Sequence, residues 1–319
     1  MITEQTAAHP GGRAAGHTLD DDLVRRLVAG RFPQWAALPV ERFPSGGTVN
    51  AVYRLGDDMT VRLPLAQGGA GDVAMEQEWL PRLAPLLPTA VPRVLGAGEP
   101  AEGFPWPWSV YGWLAGENPE AGAVAAPELL AADLAAFVAA MRSITLPAAD
   151  GPGRRTGAPT PPVAHRGGPL ALQDAGTREG IAALRGIPEE GVDCDAVAAV
   201  WDDAMRAPEP DGPPVWLHAD LMPGNLLVDG ATGRLTAVID FGCAGVGDPA
   251  CDLFPAWNLL PAGARQVFRE ALGVDDATWA RGRARTLSQA VIALPYYRNS
   301  NPAMARNARH VIRAVLAEA

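Results

Sequence analysis

His218-Ala219-Asp220-Leu221-Met222-Pro223-Gly224-Asn225, followed by Val238-Ile239-Asp240-Phe241-Gly242, decides the reading of this chain. The two segments place a carboxylate, an amide and a second carboxylate in the order and spacing that metal-assisted phosphoryl transfer uses. Moving a γ-phosphoryl group asks little covalent work of a protein. It needs a group beside the attacking hydroxyl, oxygen ligands for Mg²⁺, and a fold that aligns donor with acceptor. Asp220 can meet the first need, and Asn225 with Asp240 the second. Val215-Trp216-Leu217 reads as a short buried strand that delivers His218 and Asp220 to its end. Pro223 and Gly224 force a turn that returns Asn225 toward Asp220. Leu226 to Val228 leaves as a strand, and Asp229 to Gly233 supplies a hairpin turn. The return strand, Leu235 to Ile239, ends at Asp240. The three side chains are therefore expected at one end of a small ribbon, where Mg²⁺ can bridge them to phosphate oxygens. His218 is read as structural, its ring bonding backbone and bracing the loop.

These segments resemble the aminoglycoside phosphotransferase family, relatives of the protein kinases that phosphorylate small molecules. That family has His-x-Asp-x-x-x-x-Asn where protein kinases have His-Arg-Asp-x-x-x-x-Asn. The resemblance implies Asp220 as the catalytic Asp, and Asn225 and Asp240 as the Mg²⁺ ligands. An Asp-Phe-Gly fifteen residues beyond Asn225, with strands between, makes the paired motifs specific. The likeness covers about residues 19 to 316 and is strongest from Val215 to Leu253. It implies an α+β, bilobal protein-kinase-like fold with ATP between the lobes. The expected boundaries are a flexible tail over 1–18, a small β-rich N-terminal lobe over 19–113, and a larger, mostly helical C-terminal lobe over 114–319.

Composition agrees with a folded enzyme. A chain of 319 residues that is 48% hydrophobic has enough apolar mass for two lobes. No apolar run approaches a membrane span, and residues 1–17 lack the apolar core of a secretory signal. Three cysteines without metal spacing, and five histidines, argue against a disulfide framework or a zinc site, so a cytoplasmic location is expected. The net charge of −10 speaks against nucleic acid as a partner and favours a cationic acceptor. All 26 basic residues are Arg. A Walker-A loop is thereby excluded, and the usual kinase phosphate-binding Lys is missing too.

In the N-terminal half, Leu19 to Ala29 has helical apolar spacing behind an acidic start. Val40 to Pro44, Ala51 to Leu55 and Met59 to Leu63 read as strands, Val91 to Leu95 as a fourth, and the stretch through Tyr111 as a fifth. Ser45-Gly46-Gly47 lies in a flexible loop whose backbone N–H groups can approach phosphates. Arg62 stands where the family has its strand-three Lys, so it is assigned to the α- and β-phosphates, with a planar fork in place of a point charge. Glu76, on a helix expected from Gly71 to Leu87, matches the family's ion-pair partner better than Glu78. Tyr111, Gly112 and Trp113 are the expected hinge, offering adenine backbone hydrogen bonds and apolar walls.

In the C-terminal half, Pro127 to Ser143 reads as a one-faced helix, and Pro147 to Pro169 as a long loop of Pro, Gly and Arg. Further helices are expected over 170–184, 195–205, 262–272, 275–293 and 302–317. The element after Asp-Phe-Gly, Gly247-Asp248-Pro249-Ala250-Cys251-Asp252-Leu253, matches a family pattern. Asp248 is read as a loop brace and Asp252 as the N-cap of a helix over Leu253 to Leu260. The implied activity is Mg²⁺-dependent transfer of a γ-phosphate from ATP, or GTP, to a hydroxyl of a small molecule, foremost an antibiotic such as an aminoglycoside. A metabolic kinase for a sugar, a homoserine-like compound or a choline-like alcohol shares the same machinery. An inactive nucleotide-binding module is the rival from another class.

Overall fold

Period-two apolar alternation through residues 50–64 buries Ala51, Tyr53, Leu55, Val61 and Leu63 on one face of a sheet. In the computed structural model, which describes residues 13–14, 17–44, 49–145 and 160–318, that sheet is the centre of the first of two compact units. The first unit runs to Ala115 and adds the short segment Ala237–Gly242; the second holds Gly116–Thr236 and Cys243 onward. Its strands are β1 (Val40–Phe43), β2 (Asn50–Leu55), β3 (Met59–Pro64), β4 (Val94–Gly98) and β5 (Trp108–Gly112), in spatial order β1-β2-β3-β5-β4. Every neighbouring pair is antiparallel.

Helix α1 (Asp21–Arg31) covers this sheet with Leu23, Val24, Leu27 and Val28, a stripe at helical spacing. Leu23 N donates to the Asp20 carboxylate at 2.8 Å, closing the helix start. Helix α2 (Gln67–Leu83) buries Val73, Glu76, Trp79, Leu80 and Leu83. It begins earlier than its glycine-rich first turn suggests, because tertiary burial overrides weak helix propensity. It ends at Leu83, passing into a 3₁₀ turn over Ala84–Leu86, since Pro85 cannot donate the next helical bond.

One strand lies away from its expected place. β4 occupies Val94–Gly98, not Val91 to Leu95. Pro92 has no N–H for a ladder, and the glycines that make 96–98 look like a loop are demanded by packing. A Cβ on Gly96 would meet Phe32 Cε1 at 2.8 Å.

The second unit is mostly helical. Its long helices are α3 (Pro127–Ser143), α4 (Asp174–Arg185), α5 (Cys194–Ala204), α7 (Ala262–Leu272), α8 (Asp276–Tyr297) and α9 (Pro302–Leu316), with the short α6 (Pro255–Asn258) before α7. Helix α8 packs against α4, α5 and α9, and α3 against α7. Leu134, Phe137, Trp201, Trp257, Phe268, Leu287 and Val291 are buried there. Between α5 and α6 come β6 (Val215–Leu217), β7 (Leu226–Val228), β8 (Leu235–Val238) and β9 (Gly245–Gly247). β7 and β8 flank a turn in which Asp229 Oδ1 accepts from Ala231 N at 3.1 Å and Thr232 N at 2.7 Å. β9 pairs antiparallel with β6, Gly245 opposite Leu217 and Val246 opposite Trp216. Among the described residues no helix is long and apolar enough to cross a membrane.

Candidate active site

Strand β6 is buried at Trp216 and Leu217, and it hands the chain to a loop whose shape is set by backbone hydrogen bonds. Ala219 adopts the left-handed conformation, φ +62°, which costs an L-residue roughly 1–2 kcal/mol. Asp252 holds it there. Its carboxylate, fully buried, accepts from His218 N at 2.8 Å and from Ala219 N at 2.7 Å. Burial pushes the Asp252 carboxyl up from its ordinary value, and these two N–H groups act the other way. The buried His218 ring receives a hydrogen bond through Nδ1 from Asp220 N at 3.2 Å.

The turn after Asp220 closes on itself. Met222 N donates to Asp220 O at 2.7 Å, and Asn225 N to Met222 O at 2.8 Å. The Asn225 amide donates to Asp220 O at 2.9 Å and to its carboxylate Oδ2 at 3.0 Å. Asn118, whose role sequence reading did not reveal, donates to Gly224 O at 3.0 Å and Leu226 O at 2.8 Å, pinning this turn from outside. Asp220 and Asn225 thus form one rigid pair.

Asp252 does not cap a helix over 253–260. Residues Pro249–Leu253 form a 3₁₀ turn, and Asp248 caps it by accepting from Ala250 N at 2.9 Å. Asp252 lies inside that turn, which frees its carboxylate for the His218 and Ala219 amides. Asp248 also faces two buried cations. Arg281 Nε donates to it at 3.0 Å and Arg285 Nη2 at 2.9 Å. Burial raises the Asp248 carboxyl, but the bonds and charges of Arg281 and Arg285 outweigh it and hold the group below its usual value.

The same unit contains a second residue that sequence reading passed over. Arg166, in the 3₁₀ turn His165–Gly167, pairs with Asp220 Oδ1 through Nη1. Burial opposes its charge, and Asp220 outweighs that, so the guanidinium is held above its ordinary value. A lone Arg in a Pro- and Gly-rich loop carries no spacing signal that could have marked it.

The first unit gathers a separate cluster. Arg62 on β3 donates through Nη1 to Glu76 Oε1 at 3.0 Å and Oε2 at 3.1 Å, and its Nη2 lies 3.0 Å from Asp240 Oδ1. Glu76 is 1% exposed and accepts further bonds from the Tyr111 hydroxyl and, at 2.8 Å, from Phe241 N. Burial disfavours the Arg62 charge, but Asp240 and Glu76 hold it well above its ordinary value. Asp240 has φ +64°, and 37% of its side chain is exposed. A single guanidinium therefore bridges a structural carboxylate and the Asp-Phe-Gly carboxylate, which one ammonium would do less well.

The residues expected at the hinge are bonded within the first unit. Tyr111 lies inside the sheet, paired with Thr60 on one side and Val94 on the other, and its side chain serves Glu76. Gly112 N donates to Arg93 O at 3.0 Å and Trp113 N to Asp58 O at 2.7 Å. Both N–H groups are thus taken by backbone carbonyls next to strands β4 and β3. Ser45, Gly46 and Gly47 lie outside the described residues.

Among the described residues no three His, Cys, Asp or Glu side chains gather to hold a metal ion by themselves. Mg²⁺ commonly takes one or two protein ligands and fills its shell with water and phosphate oxygens. Asp240 and Asn225 each carry a side-chain oxygen of the hard kind that Mg²⁺ takes.

A family model described as "Phosphotransferase enzyme family" matches residues 40–286. Among solved structures, the GDP complex of a point variant of aminoglycoside 2'-phosphotransferase IIIa matches with a TM-score of 0.71 at 18% identity, over 94% of this chain and 98% of that one. A GDP and kanamycin complex of a related enzyme gives 0.67 at 20% identity, over 92% and 98%. The apo macrolide 2'-phosphotransferase of Brachybacterium faecium gives 0.58 at 23%, over 92% and 97%. At these identities the structures establish the fold: α+β and kinase-like. No curated protein matches the chain.

Proposed function

The chain belongs to the phosphotransferase enzyme family, and from that premise we propose that it moves the γ-phosphoryl group of ATP or GTP to a hydroxyl of a small molecule. The observation that carries this reading is the Asp220–Asn225 pair. A carboxylate with 21% of its side chain exposed is fixed on a loop that is strained at Ala219 and held by the hydrogen bonds described above. Such fixed geometry, reached before substrate arrives, is what general-base and positioning catalysis requires.

In the proposed reaction the acceptor hydroxyl hydrogen-bonds to Asp220 and gives up its proton there. Its oxygen forms a new bond to the γ-phosphorus while the bond from that phosphorus to the β–γ bridging oxygen breaks. The nucleoside diphosphate leaves with the electron pair. Asn225 and Asp240 would hold Mg²⁺, whose charge offsets that of the phosphate oxygens when it is bound. Arg62, kept charged and oriented by Glu76, reaches the α- and β-phosphates. Both nucleotide classes are in play because complexes of the similar structures hold GDP, ADP or ATP. The acceptor is an antibiotic, in keeping with the aminoglycosides and macrolides named for the similar structures.

The test is incubation with Mg²⁺, ATP or GTP, and a panel of aminoglycosides, macrolides and simple sugar alcohols. Gain of one phosphoryl mass on a panel member, read by mass spectrometry, is the expected result. Nucleotide binding with no acceptor ever modified would sink the proposal.

Arg62→Ala is expected to lower kcat/KM for nucleotide by about 10²–10³, the scale for losing one strong donor to a charged transition state. Arg62→Lys should recover part of the loss, because charge survives and the fork does not. Steady-state kinetics beside a melting curve checks this: equal kcat/KM for wild type and Arg62→Ala removes Arg62 from the phosphate site.

A further inference from the structure

We propose that Arg166 is a positioning residue for Asp220, and that its charge selects acceptors whose reacting hydroxyl is flanked by a neutral or anionic group over those flanked by an ammonium. The inference rests on the functional reading above and names a property of the acceptor that reading leaves open.

Arg166 is built into the unit. Residues 162–164 run alongside β9: Val246 N donates to Pro162 O at 2.8 Å, and Ala164 N to Val246 O at 3.0 Å. The chain expected to be a long loop therefore extends the β6–β9 ribbon at this point. The turn that follows sits so close to β9 that a Cβ on Gly247 would meet Gly167 O at 2.6 Å. Polar bonds then fix the turn from three directions. Asp248 N donates to Gly167 O at 2.8 Å, and Gln173 Nε2 to Arg166 O at 3.2 Å. Arg285, itself fully buried, donates to Arg166 O and Gly168 O, each at 2.7 Å.

A backbone held this firmly aims the side chain. Arg166 Nη1 meets Asp220 Oδ1 and lies 3.4 Å from Ala219 O, while Asn225 holds Oδ2. Both carboxylate oxygens are thus fixed, and the plane of the base is set before any acceptor binds. Each oxygen keeps a further lone pair for the incoming hydroxyl. Arg166 remains 30% exposed beside Asp220. A hydroxyl bonded to Asp220 must lie about 3 Å from it. A substituent on the adjoining carbon then falls within reach of the guanidinium, where like charges repel and a carboxylate or carbonyl is attracted. A guanidinium does not lose its proton in proteins, so this preference has no pH release. The acidic net charge of the chain is a global property and does not predict this local one.

Matched small alcohols test it without knowledge of the natural acceptor. Ethanolamine, ethylene glycol and glycolate present a hydroxyl beside a cationic, neutral or anionic group. Each is supplied with Mg·ATP, and phosphate ester formed is measured against phosphate released to water for wild type, Arg166→Gln and Arg166→Lys. Wild type is expected to phosphorylate ethylene glycol and glycolate at least about tenfold better than ethanolamine. Arg166→Gln should abolish that bias and lower kcat about tenfold with nucleotide KM unchanged, whereas Arg166→Lys should keep the bias. Equal partition in wild type and Arg166→Gln, with release to water intact, overturns the role of Arg166 alone. Release neither to water nor to any alcohol or panel antibiotic overturns the functional reading, and this inference with it.

Discussion

Asp220→Ala is expected to lower kcat by roughly 10²–10⁴, the range general-base side chains contribute. Nucleotide KM should stay within about twofold of wild type, because the proposed contacts to nucleotide are made by other residues. The loop should survive the change. Ala219 and His218 keep their bonds to Asp252, Asn225 N keeps its bond to Met222 O, and Asn118 still pins the turn. What is lost is the proton acceptor and one partner each for Arg166 and Asn225. Asp220→Asn is the sharper control, since its amide keeps the shape but not the basicity. Single-turnover rates, with nucleotide affinity measured separately, decide the matter. Either variant retaining more than about a tenth of wild-type kcat would remove Asp220 from the chemistry.

Asp248→Ala is expected to destabilise the second unit by about 3–5 kcal/mol, the cost of stranding buried charge. Arg281 and Arg285 both point at this single carboxylate and are themselves buried. Carbonyls absorb the excess positive charge: Pro208 O takes Arg281, and Arg166 O and Gly168 O take Arg285. Those bonds are too few to replace the anion. Asp248→Asn should cost less, since one acceptor oxygen remains. The sign of the pH dependence follows from the depressed carboxyl. Asp248 is held below its unfolded value of about 3.9. Its contribution is therefore complete above that value and is lost as pH falls through the lower, folded one. Urea unfolding should show a steeper acid limb below about pH 4 in wild type than in Asp248→Asn. Superimposable curves would show that the carboxylate is not charged in the native state.

The two motif segments were legible because their residues have no other economical use. An His-x-Asp turn after the buried strand β6, and an Asp-Phe-Gly after β8, both invest polar side chains where plain turns need none. The helix over 127–143 fell where its one-faced apolar spacing put it, and the helix over 262–272 where one was expected. Strand β9 was illegible because Gly245 and Gly247 depress strand propensity; they are there because a neighbouring backbone lies against them. Asp252 looked like a cap because the letter suits one, while its real partners lie 33 and 34 residues earlier in the chain. Arg166, Arg281 and Arg285 were hidden for a related reason. In a chain whose only basic residue is Arg, a buried structural arginine and a solvated one look alike until burial is seen.

The segment Ala237–Gly242 belongs to the first unit although the chain on both sides of it belongs to the second. Its Phe241 amide satisfies Glu76, and its Asp240 satisfies Arg62. A gene severed after codon 115 would therefore yield an amino-terminal product lacking part of its own interior, and a carboxy-terminal product carrying that part as an orphan. Neither polypeptide should be well behaved when made separately, and co-translation should rescue both. Swapping the first unit between homologues will require grafting this hexapeptide as well as the obvious first third.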